Sequence, residues 1–248
     1  MSSAADELGH LARRSLRQGP LKPRDLMNAL SVSQPTLSRA LRTLGQELLP
    51  IGAARSIRYA LRDASRSHLD AEVYKVTSEG RVLELGTLVP VCPSGFVMIH
   101  PDGTCLHSDG LPWWLFDMRP QGYLGRVFNH RYGHDLGLPA RLSDWSDSDV
   151  LSALLRRGDE LPGNLLVGSA ARDAFVNTAP PRPVTLERKA QSYADFAAAV
   201  ARGEDPGSSA GGEQPKFTAY VETSQGPAHV IVKFTALIDT PISARWRD

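Results

Sequence analysis

The residues best placed to do chemistry lie in Gly207-Ser-Ser-Ala-Gly-Gly-Glu-Gln-Pro-Lys216 and, one short hairpin later, in Val230-Ile-Val-Lys233-Phe234. A small-residue loop, a strand over 216–221, a turn over 222–227 and a second strand over 228–234 with one inward lysine would suit the phosphates of a nucleotide. Gly211 and Gly212 carry no Cβ that would block loop amides from phosphate oxygens or forbid positive φ. Lys233, on the neighbouring strand, would add a point charge at the same oxygens.

Other chemistries fit this stretch less well. Gly207-Ser-Ser-Ala-Gly211 also matches Gly-x-Ser-x-Gly, the nucleophile elbow of serine hydrolases. That motif needs a strand before the serine and a helix after it. Here a helix precedes and a strand follows, and no histidine or carboxylate is placed by sequence as a partner. A Walker loop needs Gly-Lys before Ser or Thr at a helix start, and the chain has no Gly-Lys pair. The plainer alternatives are a surface loop and a lysine snorkelling from a sheet edge. His130 and His134 stand four apart, but Gly133 and the lack of a paired Cys or acidic set argue against zinc, and no metal ligand is expected.

Ser208-Ser-Ala-Gly-Gly-Glu-Gln-Pro-Lys216 and Ile231-Val-Lys233 resemble the glycine-rich loop and strand lysine of the HipA-like kinases, toxins of bacterial toxin–antitoxin pairs. The likeness covers residues 71–248, with further matching segments at Arg119-Pro-Gln-Gly-Tyr-Leu-Gly125 and Gly158-Asp-Glu-Leu-Pro-Gly163. It implies ATP held by Gly211, Gly212, Glu213, Gln214, Lys216 and Lys233, and phosphorylation of a protein serine or threonine, with aminoacyl-tRNA synthetases among the family's substrates. It implies an antitoxin partner. It also implies autophosphorylation at Ser209, which would pull the loop out of the nucleotide site. The family's catalytic and metal-binding aspartates match nothing up to Arg247-Asp248. Catalytic residues and Mg²⁺ ligands are therefore expected outside this chain, and the chain alone is expected to be inactive. Ser243-Ala-Arg-Trp-Arg-Asp248 reads as the first turn of an interrupted helix, as in the opening portion of a kinase.

A second function is written into residues 1–62. They hold ten Lys or Arg against four Asp or Glu, a net +6, whereas the remaining residues hold eighteen against twenty-three, a net −5. A basic head on an acidic body points to a polyanion partner, double-stranded DNA. Leu8, Leu11, Leu16 and Leu21 mark a first helix, residues 23–30 a second with Pro23 near its start, and Ser33 an N-cap for a third over 34–44. Leu37, Leu41 and Leu44 would face the core. Gln34, Thr36, Ser38, Arg39 and Arg42 would then face outward, side chains of the kind that read base edges and phosphates. Strands over 47–51 and 57–61 make a wing with Arg55 and Arg58 near its tip. The pattern resembles the winged helix-turn-helix of many bacterial regulators; a packing module that binds no DNA is the alternative.

The segments between these sites read as supports. Residues 63–70 form a polar joint. Alternation over 73–78 and 81–90, and over 95–100 and 104–107, signals two hairpins. Cys92 and Cys105 would pack there; two cysteines cannot make a disulfide framework, which fits the cytoplasm. Trp113, Trp114 and Phe116 are expected in the core rather than stacked on a nucleobase. Capping boxes at Ser146/Asp149 and Ser192/Asp195 would open helices over 147–157 and 193–202, and proline-stiffened 178–184 marks a boundary. With 42% hydrophobic and 22% charged residues and no apolar run near the ~18–20 residues of a membrane helix, a globular protein without a membrane span is expected. The expected fold is α+β: a winged helix-turn-helix (1–62), a HipA-like β/α subdomain (71–177) and the start of a kinase N-lobe (185–248). The alternative is a winged-helix transcriptional regulator whose later part is a sensor or dimerisation platform.

Overall fold

A computed structural model describes residues 4–52, 56–66, 70–179, 182–202 and 215–234. Ser209, Gly211, Gly212, Glu213, Gln214, Arg55 and the turn expected at 243–248 lie outside the described residues. The chain forms two compact units, Met1–Met118 with Leu151–Asp173, and Arg119–Val150 with Ala174–Asp248. These units cut across the segments 1–62, 71–177 and 185–248, because the wing and the first sheet share apolar contacts.

In the first unit, α1 (Ala4–Leu16), α2 (Pro23–Leu30) and α3 (Gln34–Arg42) precede the wing strands β1 (Leu48–Ile51) and β2 (Arg58–Leu61). Ala12, Leu16, Leu26, Leu37, Leu41, Leu44 and Leu61 close into one apolar cluster, whereas Leu11, read as marking the first helix, is 49% exposed and Leu21 lies past the end of α1. Ser33 flanks α3 as expected, but its hydroxyl lies 3.1 Å from Thr36 Oγ1 and caps no backbone amide.

The two expected hairpins are β3 (Ala71–Val76) with β4 (Val82–Val91) and β5 (Gly95–Ile99) with β6 (Cys105–Ser108). A fifth strand, β7 (Leu165–Val167), joins from far along the chain, giving the antiparallel order β6-β5-β4-β3-β7. Three residues are too short for periodicity to reveal, and the pairing is non-local. Leu49, Ile51 and Ala60 of the wing pack against Val89, Val91 and Val97 of the sheet.

The polar joint is a strap. Arg66 pairs with Asp63 at 3.1 Å, donates to the carbonyls of Val91, Ser94 and Gly95, and stacks 4.6 Å over the Phe96 ring. Arg66→Ala would leave those carbonyls short of a donor, and is expected to cost about 2–4 kcal/mol of unfolding free energy in urea titrations. Burial pushes the Asp63 carboxyl up, but the Ser65 hydroxyl and amide and the Arg66 charge outweigh it, leaving the pKa below its ordinary 3.8. The folded value being depressed, this stabilisation is present above the unfolded pKa and lost as pH falls through the lower folded one. The Ser65 bonds lower the Asp63 pKa more than Arg66 does, so Arg66→Ala should reduce the acid limb of the stability–pH curve only in part.

The aromatic stretch departs from expectation. Trp113 and Phe116 are 72% and 51% exposed rather than core, while Leu115 and Met118 are buried. Residues 113–118 form a 3₁₀ turn, in which i and i+3 share a face, so Trp113 and Phe116 lie on one face, Leu115 and Met118 on another, and Trp114 is half-buried.

In the second unit, α4 (Gly122–Phe128) leads through a π-turn at Asn129–Gly133 into the short α5 (His134–Leu136). Trp145 packs edge-on to Phe128, and its indole donates to Pro139 O at 2.9 Å. The capping box of α6 (Asp147–Arg157) is formed: the Ser146 amide and hydroxyl donate to Asp149 Oδ2 at 2.8 and 2.6 Å, and the Asp149 amide returns to Ser146 Oγ at 3.2 Å. The second box is not. After α7 (Ser169–Asn177), helix α8 (Lys189–Arg202) begins before Ser192, whose amide already bonds Arg188 O, and Asp195 accepts from Gln191 instead. A turn at Thr185–Arg188 nucleates the helix earlier than the serine could. The final hairpin is β8 (Lys216–Thr223) with β9 (Gly226–Lys233), longer strands and a tighter turn than expected, at Ser224-Gln225.

Candidate functional site

Strand alternation divides the last hairpin into two faces. Phe217, Ala219 and Val221 are buried with Val230 and Val232 against Tyr193 and Ala197 of α8. Tyr193 and Phe196 each lie 5.5 Å from the Phe217 ring, and Phe234 lies 5.8 Å from it. Val184 extends this small sheet in parallel, accepting from Glu222 and donating to Tyr220 O. The proline-stiffened boundary thus ends as a sheet edge.

The other face carries Lys216, Thr218 and Tyr220 on β8 and Lys233, Ile231 and His229 on β9. Lys233 is exposed, which corrects the expectation of an inward lysine; the inward set is Val230 and Val232, which alternate with it. Ile231 beside it is 56% exposed, so the face is apolar as well as basic. Tyr220 and His229 stack further along the same face, beyond the Thr218/Ile231 pair, with ring centroids 4.6 Å apart. Neither was singled out from sequence, although the alternation of β8 placed Tyr220 on the lysine face.

Lys216 and Lys233 are register partners. The Phe234 amide donates to Pro215 O at 2.9 Å, which makes Pro215 and Phe234 the hydrogen-bonded pair and the two lysines the non-hydrogen-bonded pair next to it. Residues so placed have Cα atoms about 4.5 Å apart and side chains on one face. Among the described residues neither ammonium has a carboxylate partner. Two adjacent unpaired cations favour a multiply charged anion. Among the described residues no group of three His, Cys, Asp or Glu could hold a metal.

The head supplies a second surface. Leu37, Ala40 and Leu41 bury one face of α3, leaving Gln34, Ser38, Arg39 and Arg42 exposed and Thr36 half-buried. Arg39 bends back toward its own first turn, its guanidinium 3.4 Å from Pro35 O and 3.5 Å from Thr36 Oγ1. Arg58 opens β2 and lines a hollow together with His107 of the sheet.

These surfaces define a winged-helix head joined to a β-rich body. Residues 14–47 match the family described as "Bacterial regulatory protein, arsR family", and residues 67–176 match "YjjJ-like toxin, middle domain". The chain is 37% identical over 234 residues to "Toxin YjjJ" of Escherichia coli (strain K12), covering 94% of this chain and 53% of that protein. The chain thus spans about half the length of the curated relative it matches. No solved structure matches it. Over these residues the chain is similar to a YjjJ toxin, and its opening helices match a helix-turn-helix regulator family. Among the described residues no helix is long and apolar enough to cross a membrane.

Proposed function

We propose that this chain is part of a HipA-like toxin that phosphorylates a protein serine or threonine with ATP and Mg²⁺ and carries its own DNA-binding head. The observation that carries the nucleotide reading is the register pair Lys216 and Lys233, two like charges side by side without a carboxylate partner among the described residues. On this reading Lys233 and Lys216 hold ATP phosphates, with Gly211, Gly212, Glu213 and Gln214 supplying loop contacts and Ser209 as the modified residue. The catalytic aspartate and the Mg²⁺ ligands would come from outside these residues. Mg²⁺, when bound, neutralises charge on the transferred phosphoryl group. The protein substrate and an antitoxin are the partners that toxin chemistry calls for. Calorimetry of this chain with ATP tests the nucleotide part: saturable binding supports it, and no heat at millimolar ATP overturns it.

The exposed face of α3 supports DNA binding by Gln34, Thr36, Ser38, Arg39 and Arg42, with Arg55 at the wing. The protein is expected to shift duplex DNA in a salt-sensitive manner. Replacing Arg39 and Arg42 together by alanine should weaken binding about tenfold and reduce the slope of log K against log salt by about 1.8, two lost phosphate contacts. Absence of any shift at low salt would remove the DNA function and leave the head a packing module.

A further inference from the structure

We propose that a cavity of about 470 Å³ within the first unit, walled by the helix-turn-helix head on one side and the five-stranded sheet on the other, binds a small oxyanion through Arg58 and His107. Its size falls in the ~300–1,000 Å³ range of small-molecule sites. From the head come Ser15 and Gln18, at and just past the end of α1, and Arg58 of β2; from the sheet come Ser94, in the turn between β4 and β5, and His107 of β6.

The charge balance selects the ligand class. Arg58 has no hydrogen-bond or ion-pair partner among the described residues, yet it lines a partly enclosed space. Arg58 is only half-buried, so its guanidinium is accessible to a ligand, and its planar fork fits carboxylate or phosphate. The His107 side chain is only 6% exposed. Its Nδ1 lies 3.8 Å from Asp109 Oδ1, while the Asp109 side chain is 99% exposed. Asp109 also lines the cavity, but its carboxylate stands in water at the rim, where solvent screens it.

The titrating neighbours agree. Burial pushes His107 below its ordinary 6.5, Asp109 pulls it back up, and Arg58 pushes it further down. Burial, then Asp63, pushes the Cys92 thiol at the cavity wall up, against smaller effects of Arg17 and Arg66, so that wall stays neutral. The cavity thus brings the Arg58 cation beside a buried imidazole, with the Asp109 carboxylate at its solvent rim. A bound oxyanion would pair with Arg58 and favour protonation of His107. It would also brace the exit of α1 against the sheet.

Histidine-ring NMR titrations of the chain, with inorganic phosphate or acetate against chloride at constant ionic strength, test this. Saturable binding of either anion should raise the His107 pKa by about half a unit or more, while His134, whose ring is fully exposed, reports the nonspecific response. A response to phosphate alone assigns a phosphoryl ligand, and one to acetate alone a carboxylate. Arg58→Gln should abolish the saturable shift. Equal responses of His107 and His134 in the unmodified protein, or a saturable shift that survives Arg58→Gln, would overturn the proposal. DNA and ATP are absent from the experiment, so its failure is separable from failure of the head or of the lysine pair.

Discussion

Replacing Lys216 and Lys233 together by alanine is expected to weaken ATP binding by about 100-fold, measured by calorimetry on the same chain. Each ammonium–phosphate contact is a charge-assisted hydrogen bond worth about 1.5–3 kcal/mol. Solvent on the open face reduces both to the lower end, and about 3 kcal/mol for the pair corresponds to roughly two decades. The single variants separate a binding role from a structural one. Like charges directly opposite on neighbouring strands destabilise a hairpin by up to about 1 kcal/mol. Either Lys216→Ala or Lys233→Ala should therefore leave the melting temperature unchanged or slightly raised while lowering ATP affinity about tenfold. If instead melting falls and affinity holds, the lysines are packing residues whose stems cover Ile231 or Tyr220, and the nucleotide site lies elsewhere.

The parts of this fold that were legible in the sequence are those fixed by local chemistry. Leucine spacing and Pro23 define the head because a helix face must be apolar where it packs, and the Ser146/Asp149 box forms because three residues suffice to build it. The last hairpin was legible as two strands about one turn, but the outward face of Lys233 was not, because Val230 and Val232 take the buried positions that alternate with it. What stayed hidden depends on residues distant in sequence. Ser192/Asp195 has the right composition for a cap, but the turn at Thr185–Arg188 starts the helix first. The arginine strap could not be read because Arg66 finds its acceptors 25–29 positions later, and β7 because its partner β3 lies about 90 residues earlier. His107 and Arg58 share a cavity only once the wing lies on the sheet.

Gly86→Ala is expected to cost about 3–5 kcal/mol of unfolding free energy, a large share of the 5–15 kcal/mol that holds a domain of this size together. Val73 pairs with Gly86 and Tyr74 with Glu84, so Leu85 is the extra residue of a β-bulge, with its carbonyl 3.0 Å from His100 Nδ1. Gly86 closes the bulge at φ +139°, where a side chain is strained by about 1–3 kcal/mol. A Cβ there would also stand 2.1 Å from Ile99 O and 2.9 Å from its carbonyl carbon. Those atoms are backbone of β5, so relief requires moving the strand rather than turning a side chain. The sheet beneath the wing would loosen, because Val97 of β5 packs with Val89, Ile51 and Ala60. The apolar cluster of α1, α2 and α3 uses none of these residues. Denaturation of Gly86→Ala should therefore show the sheet melting early, with the head's helical signal outlasting it. A variant within 1 kcal/mol of the unmodified protein would mean that β4 and β5 are not in the register that places Gly86 beside Ile99.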